Sequence, residues 1–214
     1  MTFCNTAELV LPVVSNPKKV VHALRWAVCE MDKRYAIFAK TGVRNIGAFN
    51  ARPESNSQRD SAEERIARMM TAQDRRQSKL KIPNRLPYIV IIIDDFENLL
   101  FDAYLEIRDE IVGMVERIAR IGHKAGVHLL LSGLSARVAV LSGTLKASIP
   151  SRISFSLSSQ KESFLMLDES GAENLGGPGN FIYRTSPASV SITAHAALVS
   201  DGEVNRMVQH AATQ

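Results

Sequence analysis

The feature that most constrains the fold is a run of five β-branched residues, Ile89–Ile93, followed directly by two carboxylates, Asp94 and Asp95. The run is too short for a helix of its own and too continuous for a strand with one solvent-facing side. It is typical of a central strand in a parallel sheet. Ligands bind beside the carboxyl ends of such strands, so the two acids are candidate functional residues, although an ordinary strand end gives the same pattern.

Helices and strands are predicted to alternate around this run. Asn16 and Pro17 form a helix start, in which Asn caps the free N–H groups and Pro fits the first turn, and Gly42 is a natural stop. Further elements are expected as a helix at 104–124, a strand at 127–133, a short helix at 143–148, and strands at 152–158, 180–184 and 190–198. This order predicts an α/β fold, with a mostly parallel sheet, helices on both faces and a final β-hairpin.

Composition is that of an ordinary globular chain, with 45% hydrophobic and 22% charged residues among 214. No apolar run approaches the ~20 residues that a membrane span needs, so we expect a cytoplasmic protein without a membrane segment. The net charge of +4 permits an anionic partner. Between Arg52 and Arg85 the sequence has nine Lys or Arg against five acids. We therefore predict a charged, exposed insertion at about 51–82, acting as a solvated connector or as a nucleic-acid contact.

Four segments together resemble the motor domain of the FtsK/SpoIIIE family of DNA translocases. They are LRWAVCEMDKRYAIFAKTGVRNIGAFN at 24–50, LPYIVIIIDDFENLL at 86–100, IPSRISFSLSS at 149–159 and LDESGAENLGGPGNFIY at 167–183. The resemblance extends from about Leu9 to Val208. It implies a RecA-like fold of the P-loop NTPase type, ATP and Mg²⁺ as cofactors, double-stranded DNA as a partner, and assembly as a homo-oligomeric ring.

The resemblance also implies roles for three residues. Asp94 matches the Walker B aspartate, so it is expected to support Mg²⁺ and thereby the nucleotide. Asp95 stands where the family usually has a catalytic glutamate, and its shorter side chain is expected to cost ~10²-fold in a reaction that needs a positioned water. Arg152 matches an arginine placed to reach a neighbouring subunit's nucleotide; a surface salt bridge is the alternative.

Several departures from the family pattern bear on activity. No G-x-x-x-x-G-K-[ST] motif occurs in the sequence, so no loop of backbone N–H groups and no lysine cradle the phosphates. Leu134 replaces the glutamine of the family's ATQRP segment, which senses the γ-phosphate. Positive charge near the expected DNA path is reduced, and no DNA-binding residue is assigned.

Two functional hypotheses follow. In the first, residues 1–214 are a single partial RecA-like motor domain of an ATP-dependent DNA translocase, unable to hydrolyse ATP by itself, and an upstream domain or a second chain supplies the phosphate loop. In the second, the chain is a degenerate, non-catalytic relative that acts as a DNA-binding, ring-interface or regulatory module. Either way, a sheet without its phosphate-loop strand exposes apolar edges, which predicts self-association.

Overall fold

The computed structural model describes residues 10–53, 82–134, 143–185 and 190–212. Its helices are α1 (Pro17–Thr41), α2 (Ile46–Asn50), α3 (Phe96–Asp102), α4 (Leu105–Ile121), α5 (Gly143–Ser148), α6 (Gln160–Leu167) and α7 (Asp201–Ala212). Its strands are β1 (Ile89–Ile93), β2 (Val127–Leu131), β3 (Arg152–Ser154), β4 (Asn180–Arg184) and β5 (Ile192–His195). Two 3₁₀ turns lie at Gly122–Ala125 and Ala172–Asn174.

Strands β1 and β2 form a parallel pair. The Ile89 N–H donates to the Gly126 carbonyl at 2.8 Å, and the Ser132 N–H donates to the Ile93 carbonyl at 3.0 Å. Both bonds advance in the same direction along the two strands, so the carboxyl ends of β1 and β2 lie at the same edge. The predicted α/β fold with a parallel sheet and helices is confirmed.

Strands β3, β4 and β5 form a separate antiparallel sheet in the described part of the chain. Arg152 pairs with Arg184 across β3 and β4, and Asn180 pairs with His195 across β4 and β5. The final hairpin is therefore present, with β5 shorter than expected. Its predicted turn at Ser186 and Pro187 lies outside the described residues.

The chain divides into two compact units. The smaller comprises Arg25–Ile92 and Arg117–Leu130, and its core contains the buried Met31, Ile37 and Phe49. Arg34 is also buried there, 1% exposed; its guanidinium donates to the Ala125 carbonyl at 2.9 Å and to Glu30 at 3.1 Å. These bonds satisfy a charge that would otherwise be costly to bury.

The larger unit contains Ile93–Glu116 and the chain from Leu131 onward, together with the residues up to Leu24. One of its clusters packs Leu167, Ala172 and Ile182 against partly buried neighbours, namely Leu157, Met166 and Leu175. This cluster joins the end of α6 to β4. It thereby fixes the position of the loop that follows α6.

Local signals set the ends of α1 as predicted. The Lys18 N–H donates to the Asn16 side chain at 2.9 Å, so Asn16 caps the helix that begins at Pro17. At the other end Gly42 adopts a φ of 68°, and the Val43 N–H closes back on the Phe38 carbonyl. A left-handed residue of this kind is a common helix terminator.

Burial of β1 differs from the expectation for a central strand. Val90 and Ile92 are 62% and 67% exposed, whereas Ile93 is buried. Alternate side chains point to opposite faces of a strand, so one face of β1 is open along the described residues.

Within the described ranges, no helix combines the length and apolar character needed to cross a membrane.

Candidate functional site at the end of β1

The tandem acids lie where β1 gives way to α3. Asp94 follows the last strand residue, Asp95 occupies the N-cap position, and the helix begins at the buried Phe96. Asp94 is exposed and Asp95 is half-buried. The two carboxylates predicted from the sequence are therefore at the carboxyl edge of the parallel pair, within reach of solvent.

The backbone of Asp95 is left-handed, with φ 49° and ψ 55°. Such a conformation is uncommon for a residue with a side chain, although Asp and Asn tolerate it better than most. It turns the chain from strand to helix within two residues. The Asn98 amide donates to the Asp95 carboxylate at 2.6 Å, which holds that side chain over the first turn of α3.

Ser132, the residue after β2, joins the two strand ends. Its hydroxyl donates to Asp94 and accepts from the Asp95 N–H at 3.2 Å. Its carbonyl accepts from the Phe96 N–H at 2.9 Å. Sequence reasoning identified the strand end but not this role. The signal was available, since a polar residue after the neighbouring parallel strand must lie at the same sheet edge.

Leu134 lies just beyond Ser132 and is 86% exposed. Its apolar side chain offers no hydrogen-bonding group at the position where the family has glutamine. Gly133, between the two, lies beside Glu97: a Cβ added to the glycine would sit 3.7 Å from that side chain.

In the described part of the chain, no group of three or more His, Cys, Asp or Glu side chains is placed to hold a metal.

The side chains of Asp94 and Asp95 fit Mg²⁺, which is one of the two expected cofactors. Mg²⁺ prefers oxygen ligands and usually binds through one or two carboxylates together with water and phosphate oxygens, which Asp94 and Asp95 match in number and chemistry. A nucleotide triphosphate fits less well. Its phosphates need a loop of N–H donors and a lysine, and this sequence has no such motif. The described residues therefore include carboxylates of the kind that Mg²⁺ takes as ligands, while the sequence lacks the motif that would hold the phosphates.

The structure places Arg152, the third predicted site residue, inside the larger unit. The residue is 9% exposed and donates four hydrogen bonds. Three go to the carbonyls of Lys146, Ile149 and Met166, at 2.6, 3.1 and 3.2 Å, and the fourth goes to Asp168 at 2.7 Å. The guanidinium thus connects α5, β3 and α6, and it is not brought together with Asp94 and Asp95 by any described contact.

Asp168 completes this cluster. It caps α6 with a left-handed φ of 63° and also accepts from Lys146. Partial burial raises the pKa of the Asp168 carboxyl, but hydrogen bonds and charges from Lys146 and Arg152 outweigh burial, so the pKa is lowered overall. Asp168 therefore remains ionised and holds the two cations in place.

Hydrogen bonds around Ser159 and Glu162 set the start of α6. Glu162 accepts from the Ser158 N–H at 3.1 Å, while its own N–H donates to the Ser159 hydroxyl at 3.3 Å. Ser159 is thus the N-cap of α6, and Glu162 holds the residue that precedes the cap. The segment 158–164 thus begins a helix here.

Most of the predicted charged insertion, residues 54–81, lies outside the described residues. At its beginning, Arg52 donates to the Pro83 carbonyl at 2.6 Å and stacks on the Phe49 ring at 3.5 Å from the ring centre. Arg52 therefore closes the base of the insertion, because it links the residues that precede and follow it.

The fold and the carboxylates at the end of β1 together place the chain in a structural class of proteins. Three solved structures share its arrangement of helices and strands. They are the pCW3 conjugation coupling protein TcpA in a monomer form with ATPγS (TM-score 0.68, 18% identity), EssC (ATPases 2 and 3) from Geobacillus thermodenitrificans (0.63, 18%), and the cytoplasmic domain of the Thermomonospora curvata type VII secretion ATPase EccC (0.60, 20%). They cover 93%, 92% and 94% of this chain, which spans 50%, 31% and 21% of theirs. The chain has the α/β fold of the P-loop NTPase type.

Sequence comparison is more specific. The model of the FtsK/SpoIIIE family matches residues 3–140, and the chain belongs to this family. It is 35% identical to the DNA translocase FtsK of Pseudomonas syringae pv. syringae and 37% identical to that of Streptococcus pneumoniae, over 94% and 97% of its length. It spans about a quarter of those relatives, 24% in both cases. The predicted family is confirmed.

Proposed function

We propose that the chain is part of an ATP-dependent double-stranded DNA translocase motor, and that it does not hydrolyse ATP by itself. The observation that carries the proposal is the hydrogen-bonded carboxylate pair at the end of β1 in a chain with no phosphate-binding motif. Family membership and the relatives named DNA translocase FtsK support the motor role. Residues 1–214 are then one partial motor domain, and the phosphate loop comes from elsewhere in the assembly.

In this proposal Asp94 and Asp95 have different tasks. Bound Mg²⁺ would neutralise the charge on the β- and γ-phosphate oxygens. Asp94 would hold that ion, directly or through water. Asp95 would orient the attacking water, but its side chain is one methylene shorter than the family's glutamate. The contact with Asn98 also holds the Asp95 carboxylate at the first turn of α3.

Arg152 keeps its proposed role at a neighbouring subunit's nucleotide, within a ring of motor subunits. That role requires the guanidinium to leave its four hydrogen bonds and its partner Asp168. Arg152 is therefore held in a retracted position in the isolated chain. The DNA partner is proposed from the family, and the net charge of +4 is compatible with binding to its phosphates.

The catalytic part of the proposal is tested by ATP hydrolysis with the purified chain in Mg²⁺. We expect no turnover above background, and no difference between the wild type and Asp94→Ala. Asp109→Ala, at an exposed position in α4, is the matched control for loss of a carboxylate. Hydrolysis that survives in Asp109→Ala and disappears in Asp94→Ala would contradict the proposed inactivity.

The DNA part is tested by equilibrium binding to double-stranded DNA at increasing salt. We expect affinity to fall linearly on logarithmic axes, since each neutralised phosphate releases counterions. Affinity that does not respond to salt would contradict binding through the DNA backbone.

The exposed Leu134 favours a second candidate, a non-catalytic ring-interface, DNA-binding or regulatory module. A polypeptide of this family that contains the phosphate-loop motif separates the two candidates. If mixing it with this chain yields hydrolysis that depends on Asp94, the motor proposal is supported. If the mixture hydrolyses ATP equally with Asp94→Ala, the non-catalytic module is supported.

A further inference from the structure

Ser132 makes an unusual set of contacts for a serine at a strand end. Its hydroxyl is both donor and acceptor, to Asp94 and from the Asp95 N–H, and its backbone N–H and carbonyl pair with Ile93 and Phe96. The residue that follows β2 thus contacts four consecutive residues at the β1–α3 junction. Within the described ranges, its hydroxyl bonds go to the two proposed site residues, Asp94 and Asp95.

The chemistry of these two contacts is complementary. A hydroxyl has a single proton to donate, and here the proton goes to one oxygen of the Asp94 carboxylate, which fixes the direction of the carboxylate plane. The oxygen accepts from the Asp95 N–H, which helps to hold that residue in its left-handed conformation. Alanine, which the family's ATQRP segment has at this position, provides neither contact.

From this geometry we infer that Ser132 is a positioning residue for the tandem carboxylates. It orients Asp94 toward a divalent cation and sets the backbone of Asp95, without touching the cation itself. The inference rests on the proposed metal-supporting role of Asp94. Loss of a hydrogen-bond partner of a metal-binding group typically lowers metal affinity by about 10-fold or more.

The test compares the full chain with Ser132→Ala, Ser132→Thr and Ser148→Ala. Threonine keeps the hydroxyl, and Ser148 is a matched control because its hydroxyl donates to the Thr144 carbonyl, at the end of α5. Aspartate-selective ¹³C labelling reports the Asp94 carboxyl resonance, assigned with Asp94→Ala. Titration with Mn²⁺ alone then broadens that resonance and gives an apparent affinity.

We expect Ser132→Ala to shift the Asp94 carboxyl resonance, to accelerate exchange of the Asp95 amide proton, and to weaken Mn²⁺ binding about 10-fold. Ser132→Thr is expected to restore all three, and Ser148→Ala to change none. An Asp94 resonance and Mn²⁺ affinity that are unchanged in Ser132→Ala would overturn the inference.

The same experiment distinguishes a failure of the proposed function from a failure of the positioning role of Ser132. If Mn²⁺ broadens no Asp94 resonance in the wild type, the metal-supporting role is wrong, and with it the purpose assigned to Ser132. If Mn²⁺ binds to the wild type and to Ser132→Ala with equal affinity, the metal role stands and only the positioning role is lost.

Discussion

At the scale of single residues, the backbone of Asp95 is the most constrained feature of the site. An L-residue in the left-handed region costs roughly 1 kcal/mol, and Asp reduces that cost through local hydrogen bonding. The contacts from Asn98 and Ser132 provide such bonding here.

The left-handed backbone conformation of Asp95 can be tested by measuring the free energy of unfolding. Asp95→Ala is expected to be about 1 kcal/mol less stable than Asp95→Gly, because only glycine adopts φ 49° without steric cost. Urea unfolding of both variants measures the difference. At Asp109, inside α4, the order should reverse, with alanine more stable than glycine by up to about 1 kcal/mol. Equal stabilities at position 95 would contradict the left-handed assignment.

Asp168 predicts a pH dependence. Its pKa is lower in the folded chain than its ordinary value of 3.8, so its stabilising effect is complete above that value and is lost as pH falls through the folded pKa. The difference in unfolding free energy between the wild type and Asp168→Asn should be largest near neutral pH and should shrink below about pH 4.

The measurement is urea unfolding from pH 7 down to pH 3. Asp109→Asn, at an exposed position in α4, is the control, and its difference from the wild type should stay small throughout. A stability difference for Asp168→Asn that grows as pH falls would have the opposite sign and would contradict the ion-pair assignment.

At the scale of elements, two arginines on helices show how burial decides the value of a charge. Arg34 in α1 is buried and its bonds reach Ala125 and Glu30, whereas Arg117 in α4 pairs with Asp32 at 2.7 Å with both side chains over 40% exposed. Water screens the second pair and not the first. We therefore expect the bonds of Arg34, and not those of Arg117, to contribute strongly to the packing of their helix in the smaller unit.

Arg34→Ala should destabilise the chain by about 3 kcal/mol or more, because it leaves a buried carbonyl and a cavity. Arg117→Ala should cost less than about 1 kcal/mol, as is usual for exposed pairs. Chemical denaturation gives both values. Similar losses for the two variants would show that Arg34 is less enclosed than its contacts indicate.

The elements also show which features sequence reasoning can recover. Helix α1 and strands β1, β2 and β4 were predicted because their signals are local: caps, glycine stops and apolar runs. Helix α3 was missed, since its start depends on the left-handed Asp95 and on Ser132, which lies 37 residues later in the chain and follows β2. The carboxylates were placed correctly at the strand end. The enclosure of Arg152 was not foreseen, because its partners include a carbonyl and a carboxylate at the C-terminal end of α6, 14 and 16 residues further along the chain.

At the scale of the whole molecule, the open face of the parallel pair has a consequence for solution behaviour. Tyr88, Val90, Ile92 and Leu130 are each more than half exposed. Contiguous apolar surface of this kind commonly marks an interaction site or an aggregation risk. We therefore expect the purified chain to self-associate.

Sedimentation velocity over a range of concentrations tests this expectation. Val90→Thr combined with Ile92→Thr keeps β-branching while reducing apolar area, and it should shift the population toward monomer. Val190→Thr, an apolar residue 89% exposed just before β5, is the control and should not change it. A wild-type monomer at all concentrations would contradict the prediction.

The four bonds of Arg152 have a consequence for assembly. An arginine that extended across a subunit boundary would no longer donate to three backbone carbonyls or to Asp168, which would keep Lys146, and α5, β3 and α6 would lose the contacts that Arg152 makes with them. In this proposal the Arg152 side chain can either stabilise its own subunit or contact a neighbouring one, but it cannot do both at once. If the proposed role of Arg152 holds, a subunit whose Arg152 contacts a neighbour would have weaker contacts among α5, β3 and α6 than a subunit whose Arg152 stays enclosed.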